Sequence, residues 1–499
     1  MLPKSVAMAT KTGVDGFLAQ SKPTLSDPLS AHQVHFAWLC RSWAIAGVFH
    51  FLTFHDWRWQ GISGCILICL AMAVLRRPTP LLFGCFLAAD IVAVGMRMGP
   101  VPNHILFSLL MNAVMLIGLI AAWVRNKRHS PLEDLSSQWL LTVAPIVRMA
   151  VVILYFFTVF HKINQAYFNP DVSCGSSMLR EISIMYPIIP SGGLMDTLAI
   201  YGTLVIEALI PVLMIIPRTR LLGGVLALGF HAMLSLHPHP GIYSFTATIV
   251  SLLSWFIPSV FFVTLRPSPL AKNVLRALWG TCVGLVLLAL LAGNVPALNP
   301  LLPIGSTVGF SIGYYGILVY SIALVVTYVQ VGWRHLSALE AAAPAGGSVS
   351  QRLLFACPVC ALLMLIGMQP YLGLRTRMCF SMFSNLQTEG GVGNHLVMPQ
   401  ALQQTRWQNE LVSISDSTDP GIAAIATRHH RIPILELSRR VRESRAGYST
   451  TFIYNNTTYT CRSGDASTYT VLPEINGFGL RYLYFRSVGP DPSTVPCQW

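Results

Sequence analysis

The sequence predicts an all-α polytopic membrane bundle of about nine to eleven transmembrane helices, followed by a small C-terminal β-rich extracytoplasmic domain. Three observations carry this reading. Of 499 residues, 53% are hydrophobic and 11% charged, whereas a soluble domain carries charge on about a quarter of its residues. Apolar runs of about 20 residues recur between positions 34 and 369, each long enough to cross a hydrocarbon core as a helix. Beyond position 370 the chain changes character, and β-branched and aromatic residues alternate with turn formers.

In chain order, residues 1–33 are a polar segment holding Lys4, Lys11 and Lys22, without the apolar core of a signal peptide, so the first span is expected to direct insertion. The expected spans are 34–54, 61–75, 81–97, 104–124, 140–160, 194–216, 221–236, 242–264, 273–292, 306–329 and 352–369. Basic residues fall after every second span: Arg76 and Arg77; Arg125, Lys127 and Arg128; Arg218 and Arg220; Arg266, Lys272 and Arg276; Arg334 and Arg352. Lysine and arginine are retained on the cytoplasmic side, so these loops and the N-terminus are expected inside and residues 370–499 outside. The stretch LEAAAPAGGSVSQ reads as a cytoplasmic linker, and the domains are therefore 1–33, 34–369 and 370–499.

The net charge of +13 sits mostly in these short loops, and no basic stretch interleaved with aromatics resembles a nucleic-acid groove. Membrane lipid, not nucleic acid, is the expected partner. In the tail, STTFIYNNTTYTC, STYTVLPEI and GLRYLYFRSV read as strands, and SRRVRESR as a solvated basic face or a site for an acidic peptide or lipid headgroup. Asn455 and Asn456 both satisfy the glycosylation sequon, which matters only in a eukaryote. Of eleven cysteines, Cys174, Cys379, Cys461 and Cys497 fall on the expected outer side, where disulfides form, with Cys461 and Cys497 a candidate pair. Cys357 and Cys360 have redox-motif spacing, but in an apolar helix they read as buried side chains.

The chain has six lysines, and five are in the N-terminal segment or in expected cytoplasmic loops. The sixth, Lys162, ends the apolar run in LYFFTVFHKINQAYFNPDVSCG, at the opposite boundary. A snorkelling anchor would account for it, yet arginine serves almost everywhere else. Lysine differs in that it can lose its proton in a poorly solvated pocket and act as a base.

FFTVFHKINQAYFNPDVSC resembles the segment of the vitamin K-dependent gamma-carboxylase and of its bacterial relatives, the HTTM membrane-domain family, in which an apolar helix ends in a basic pair. GFHAMLSLHPHPGIYSFTATIVSLLSWFIP is similar to that family's Phe-His helix, loop and restart, and CFSMFSNLQTEGGVGNHLVMP to its Met-Phe-Ser stretch. Arg41 in AWLCRSWAIAG also fits the first span, and the likeness covers most of residues 34–400. The resemblance implies a membrane enzyme in which Lys162 deprotonates reduced vitamin K or another quinol. Oxygen then turns the quinol into a strong base that abstracts a proton from a protein or peptide glutamate, and CO2 adds. It places His231 in the same active site and implies no metal. His161 stands where the animal enzyme has a second lysine, and the long luminal region of that enzyme has no counterpart, so the substrate and the carboxylation step stay open.

Charges inside spans are costly and mark candidate sites. Arg41, Asp90, Arg148 and Glu207 qualify. Arg148 lies about 21 Å before Lys162 along a helix and could pair with Glu207. His231, His237 and His239 are close in sequence, but HPHP makes two of them loop residues without a nearby carboxylate, against a metal site. Lys162 is expected to lack a close carboxylate partner, with His161 or Asp171 as the nearest charges in sequence, and to share a quinone-sized cavity with His231. A transporter or a non-catalytic membrane scaffold is the alternative, although no internal repeat supports the former.

Overall fold

The computed structural model describes residues 28–264, most of 316–329 and 349–497, apart from short breaks at 54–56, 97–100, 127–132, 238, 317–318, 327, 466–470 and 476. The expected span at 273–292 and most of that at 306–329 lie outside the described residues, as does most of the linker. What is described is mostly helical, with one small antiparallel sheet.

The bundle opens with α1 (Pro28–Thr53), α2 (Trp57–Arg76), α3 (Pro80–Met96), α4 (Asn103–Asn126) and α5 (Glu133–Phe160). A short α6 (Gln165–Phe168) and α7 (Cys174–Met185) follow, then α8 (Leu194–Ile215), α9 (Arg220–Leu234), α10 (Pro240–Leu253), α11 (Ser259–Thr264) and, after the undescribed stretch, α12 (Val349–Leu372). Among the described residues three helices are long and apolar enough to cross a membrane, at Asn103–Asn126, Leu135–Phe160 and Leu194–Ile215. The expected continuous span 242–264 is broken: after α10 the chain tightens into a 3-10 turn at Ser254–Phe256, and Pro258, which cannot donate a backbone N–H, separates it from α11.

Helix α5 is central. Trp139, Val143, Val147, Ala150, Leu154 and Phe157 on its inner face are buried among α1, α4, α8 and α12. Gly367 on α12 and Gly118 on α4 permit close approach, because a Cβ would stand 2.3 Å from the Phe157 ring and 2.3 Å from Val143 respectively.

Residues 373–409 reach back into the helices. Met378 and Phe380, both at positive φ, insert into the bundle core, and the compact β unit begins at Leu411. That unit holds β1 (Leu411–Ser417), α13 (Pro420–Thr427), β2 (Arg431–Pro433), α14 (Ile434–Glu443), β3 (Ser449–Tyr454), β4 (Thr457–Arg462) and α15 (Gly477–Tyr482). The sheet order is β2-β1-β3-β4, all antiparallel, with Val412, Ile414, Ile432 and Phe452 turned inward under α13 and α14. Tyr454 pairs with Thr457 across Asn455 and Asn456, both at positive φ, the backbone that a two-residue hairpin requires.

Two expected strands differ. STYTVLPEI lies partly outside the described residues and forms no strand where it is described. GLRYLYFRSV starts as α15 and continues as extended chain whose backbone bonds largely elsewhere: Thr376 and Arg377 donate to the Tyr484 carbonyl, and Phe485 N–H donates to Glu436. Only Val488 makes a bridge, to Arg431. The expected Cys461–Cys497 pair is also corrected. Cys461 is a free, buried side chain of the sheet core, and Cys497 is bonded to Cys174.

Candidate functional site

At its C-terminal end α5 tightens: His161 N–H still reaches the Phe157 carbonyl, but Lys162 N–H takes Val159 and Ile163 N–H takes Phe160. Asn164 ends the turn. Its side chain donates to the carbonyls of His161 (2.7 Å) and Ser384 (2.6 Å) and accepts from Tyr167 N–H, capping α6. Residues 163–165 pair with 394–396 through Gln165 to Asn394 and Leu396 to Ile163. The backbone carrying Lys162 is therefore held on two sides.

The Lys162 side chain is buried, and Nζ donates to Glu207 Oε2 of α8 at 2.5 Å. This overturns the expectation of a lysine without a carboxylate partner. Burying two charges is tolerable only when they satisfy each other. Asp171 makes no ion pair with Lys162; its carbonyl accepts from Arg180.

Tyr155 and Thr158 of α5 and Lys162 of the turn that ends it are spaced three and four apart and fall on one side. These three line a small chamber with Glu207, Leu234, Ile242, Phe245 and His231 of α9. Tyr155 hydroxyl and His231 Nε2 are 2.8 Å apart, and His231 Nδ1 is buried without a hydrogen-bond partner. Lys162 and His231, 69 positions apart in sequence by their numbers (231 − 162), thus share one chamber.

Beyond the ion pair lies a second, larger cavity of about 330 Å³, bounded by α7, α8 and α9. Lys162 and Glu207 line both spaces, together with Met178, Leu234 and Phe383, and so stand at the neck where the two adjoin. Apart from that neck the large cavity is lined mainly by apolar groups, among them Ile182, Leu198, Ile206 and Phe383. The Tyr167 ring also borders it, with the lysine Nζ 5.9 Å from its centre. Gly175 keeps α7 close against α8, since a Cβ there would lie 3.1 Å from Ile200 Cα.

The other sequence candidates are elsewhere. His161 points away from the chamber: Nε2 donates to the Cys379 carbonyl at 3.1 Å and Nδ1 takes the Tyr371 hydroxyl at 2.8 Å, so a neutral ring satisfies both contacts and supplies no cation to its neighbour. Arg148 does not meet Glu207; its Nε donates to the Trp255 carbonyl at 2.7 Å. Arg41 donates to the Leu75 carbonyl at 3.1 Å, and Asp90 accepts from Asn112, which in turn accepts from Trp43. These three charges brace helices. In the basic run SRRVRESR, Arg439 is buried and paired with Glu436 and Glu443, while Arg445 is exposed. Among the described residues no group of three histidine, cysteine or acidic side chains is placed to hold a metal.

Tyr155, Thr158 and Tyr167 are site residues that the sequence reading passed over. The signal was present: a lone tyrosine among phenylalanines inside an apolar run needs a hydroxyl partner, and it sits on the face of Lys162. No known family model, characterised protein or solved structure matches this chain.

Proposed function

We propose that the chain is a polytopic membrane protein that binds a lipid-soluble quinol in the α7–α8–α9 cavity and deprotonates it at the Lys162–Glu207 pair. The observation that carries this is the placement of a buried ion pair between a large apolar cavity and a small chamber that also holds the Tyr155 hydroxyl and the unbonded His231 Nδ1. A ligand with a flat polar head and an apolar body fits that polarity, and the volume falls within the range of small-molecule sites.

The roles differ from those implied by the family likeness. Glu207 is the partner that accepts the hydroxyl proton at its carboxylate, while the Lys162 amino group stabilises the oxyanion that remains. Tyr155 holds His231 through Nε2, which leaves Nδ1 to bond the ligand or a water in the chamber. The apolar lining keeps bulk water from the pair and strengthens its field. A bound quinol would supply the oxygen-driven redox chemistry that turns a weak acid into a strong base. On this reading the protein consumes reduced vitamin K or a related quinol with O2, and modifies a protein or peptide on the extracytoplasmic face, with CO2 as the added group if carboxylation is retained.

The test uses the purified protein in lipid nanodiscs. A naphthoquinone analogue should bind saturably, and Ala199→Trp, which fills the large cavity, should abolish that binding. Glu207→Gln, which removes the proposed base, should retain binding but lose quinol-dependent oxygen uptake by about 100-fold, the size of a general acid–base contribution. Absence of saturable binding, or full uptake by the glutamine variant, would return the pair to a structural brace of a transporter or scaffold.

A further inference from the structure

The stretch from α7 into the first turns of α8 exposes an unusual amount of apolar surface. Ile184 is 80% exposed, Ile188 92%, Leu194 70% and Leu198 53%. Met185 and Met195 are exposed between them. Surface this apolar marks a contact with protein or membrane. The same surface continues without a break along α8 through Tyr201, Val205, Leu209 and Val212, all exposed, on one of the three helices apolar enough to cross a membrane.

The charges of the stretch are turned the other way. Arg180 donates through Nε and Nη2 to Asp196 at 3.1 and 2.6 Å, and Asp196 is buried at the start of α8, where its other oxygen accepts Gly192 N–H. Glu181 faces the His237 ring at 3.1 Å in the α9–α10 loop. Burial pushes the His237 imidazole down to about 4, so this contact holds a neutral ring at physiological pH. A helix with its one cation paired inward to Asp196 and isoleucines turned outward is built to lie in a bilayer interface. At 12 residues α7 is about 18 Å long, too short to cross.

We infer that residues 174–198 are an interfacial element seated among the lipid headgroups and upper acyl chains of one leaflet, and that its apolar rim is the doorway of the large cavity. The occupant of the surface is bilayer lipid, because the rim is continuous with the outward apolar face of α8. The cavity opens on the same rim: Met195 and Leu198 of α8 and Met233 of α9 line it and are also exposed. A ligand dissolved in the leaflet reaches the Lys162–Glu207 neck between α8 and α9 without crossing water. The doorway role rests on the quinol reading, whereas the lipid contact does not.

The test places a benzophenone amino acid at Ile184, Ile188 or, as control, Arg445 in the full-length protein, reconstituted in phosphatidylethanolamine–phosphatidylglycerol vesicles. Mass spectrometry after irradiation reads the adducts. Lipid adducts at positions 184 and 188, several-fold above those at 445, are expected. Lipid yield at 184 and 188 no greater than at 445 overturns the inference, and a protein partner captured there instead of lipid does the same. The doorway is read separately. Ile184→Asp with Ile188→Asp should slow uptake of bilayer-dissolved naphthoquinone several-fold while leaving its equilibrium binding in detergent unchanged. Unchanged uptake would remove the doorway role and leave the quinol site standing, since that site fails only if wild-type binding fails.

Discussion

At the scale of the residue, the Lys162–Glu207 pair decides most. Removing one member of a buried pair leaves an uncompensated charge and costs about 3–5 kcal/mol, whereas replacing both by apolar groups of similar volume is near neutral. Lys162→Met and Glu207→Leu should each lower the thermal midpoint sharply, and the double variant should restore it. Scanning calorimetry or a fluorescence melt in detergent checks this, and additive losses would show that the two side chains do not depend on each other. Sequence singles out both residues as charges in apolar surroundings. It does not reveal that they pair, because they are separated by 45 positions and Arg148 is an equally plausible partner for Glu207 until the packing of α5 against α8 is known. Lys162 and Tyr155 share a face legible from spacing alone. The solitary Nδ1 of His231 is not legible, since it depends on which helices surround it.

Between elements, polar contacts organise packing that apolar contacts alone would leave unspecific. A seam joins α1 to α10 and its extension: His50 to Thr248 at 2.7 Å, Ser42 to Ser251 at 2.8 Å, and His35 to Ser259 at 3.0 Å. In lipid such bonds contribute about 0.6 kcal/mol each, and they fix register more than they add stability. In the β unit Glu436 plays the equivalent part. It is buried on α14, accepts from Arg439 and Arg440, and takes Phe485 N–H. Burial alone would raise its carboxyl, but the Arg439 hydrogen bond and the charges of Arg439, Arg440 and Arg377 outweigh it and hold the group below the usual value. A depressed carboxyl stabilises the fold above its unfolded value of about 4.3, and that contribution is lost as pH falls through the lower folded value. Glu436→Ala should cost about 3 kcal/mol, read as faster hydrogen exchange in β1 and β3. The wild type should hold its protection from neutral pH to about pH 5 and lose it below. Protection already lost by pH 6 would assign the acid sensitivity to another group. The strand pattern of the β3–β4 hairpin is plain in sequence because Asn455 and Asn456 are turn residues between alternating strands. The fate of GLRYLYFRSV is not, because its backbone bonds are satisfied by groups as distant as Thr376 and Glu436.

For the molecule as a whole, the helix positions follow the apolar runs closely, since length and hydropathy are local properties. The boundary between bundle and tail does not, because residues 373–409 are polar in composition and yet thread back into the helices through Met378 and Phe380. Orientation has two independent supports: the basic residues after alternate spans, and the Cys174–Cys497 disulfide, a bond kept in oxidising compartments. On these two grounds we propose that the β unit is external. Arg445→Cys, with Cys69, Cys85 and Cys357 replaced by alanine, should react with an impermeant maleimide on intact cells. Labelling only after permeabilisation would invert the orientation.

The Cys174–Cys497 bond also imposes an order on biosynthesis. Its partners are 323 residues apart, so at about 5–20 residues per second Cys174 waits roughly 16–65 s for its mate. Cys379 and Cys461 emerge during that interval, and both are free thiols in the finished protein. They escape the wrong partnership by being sequestered: Cys379 in the bundle junction and Cys461 in the sheet core are both buried. Nascent chains must therefore shelter each rival sulfur before the last one arrives. A slow-folding β unit would leave Cys461 available as a decoy, and the wall of the large cavity, where Cys174 sits, would be sealed to the wrong place in the chain.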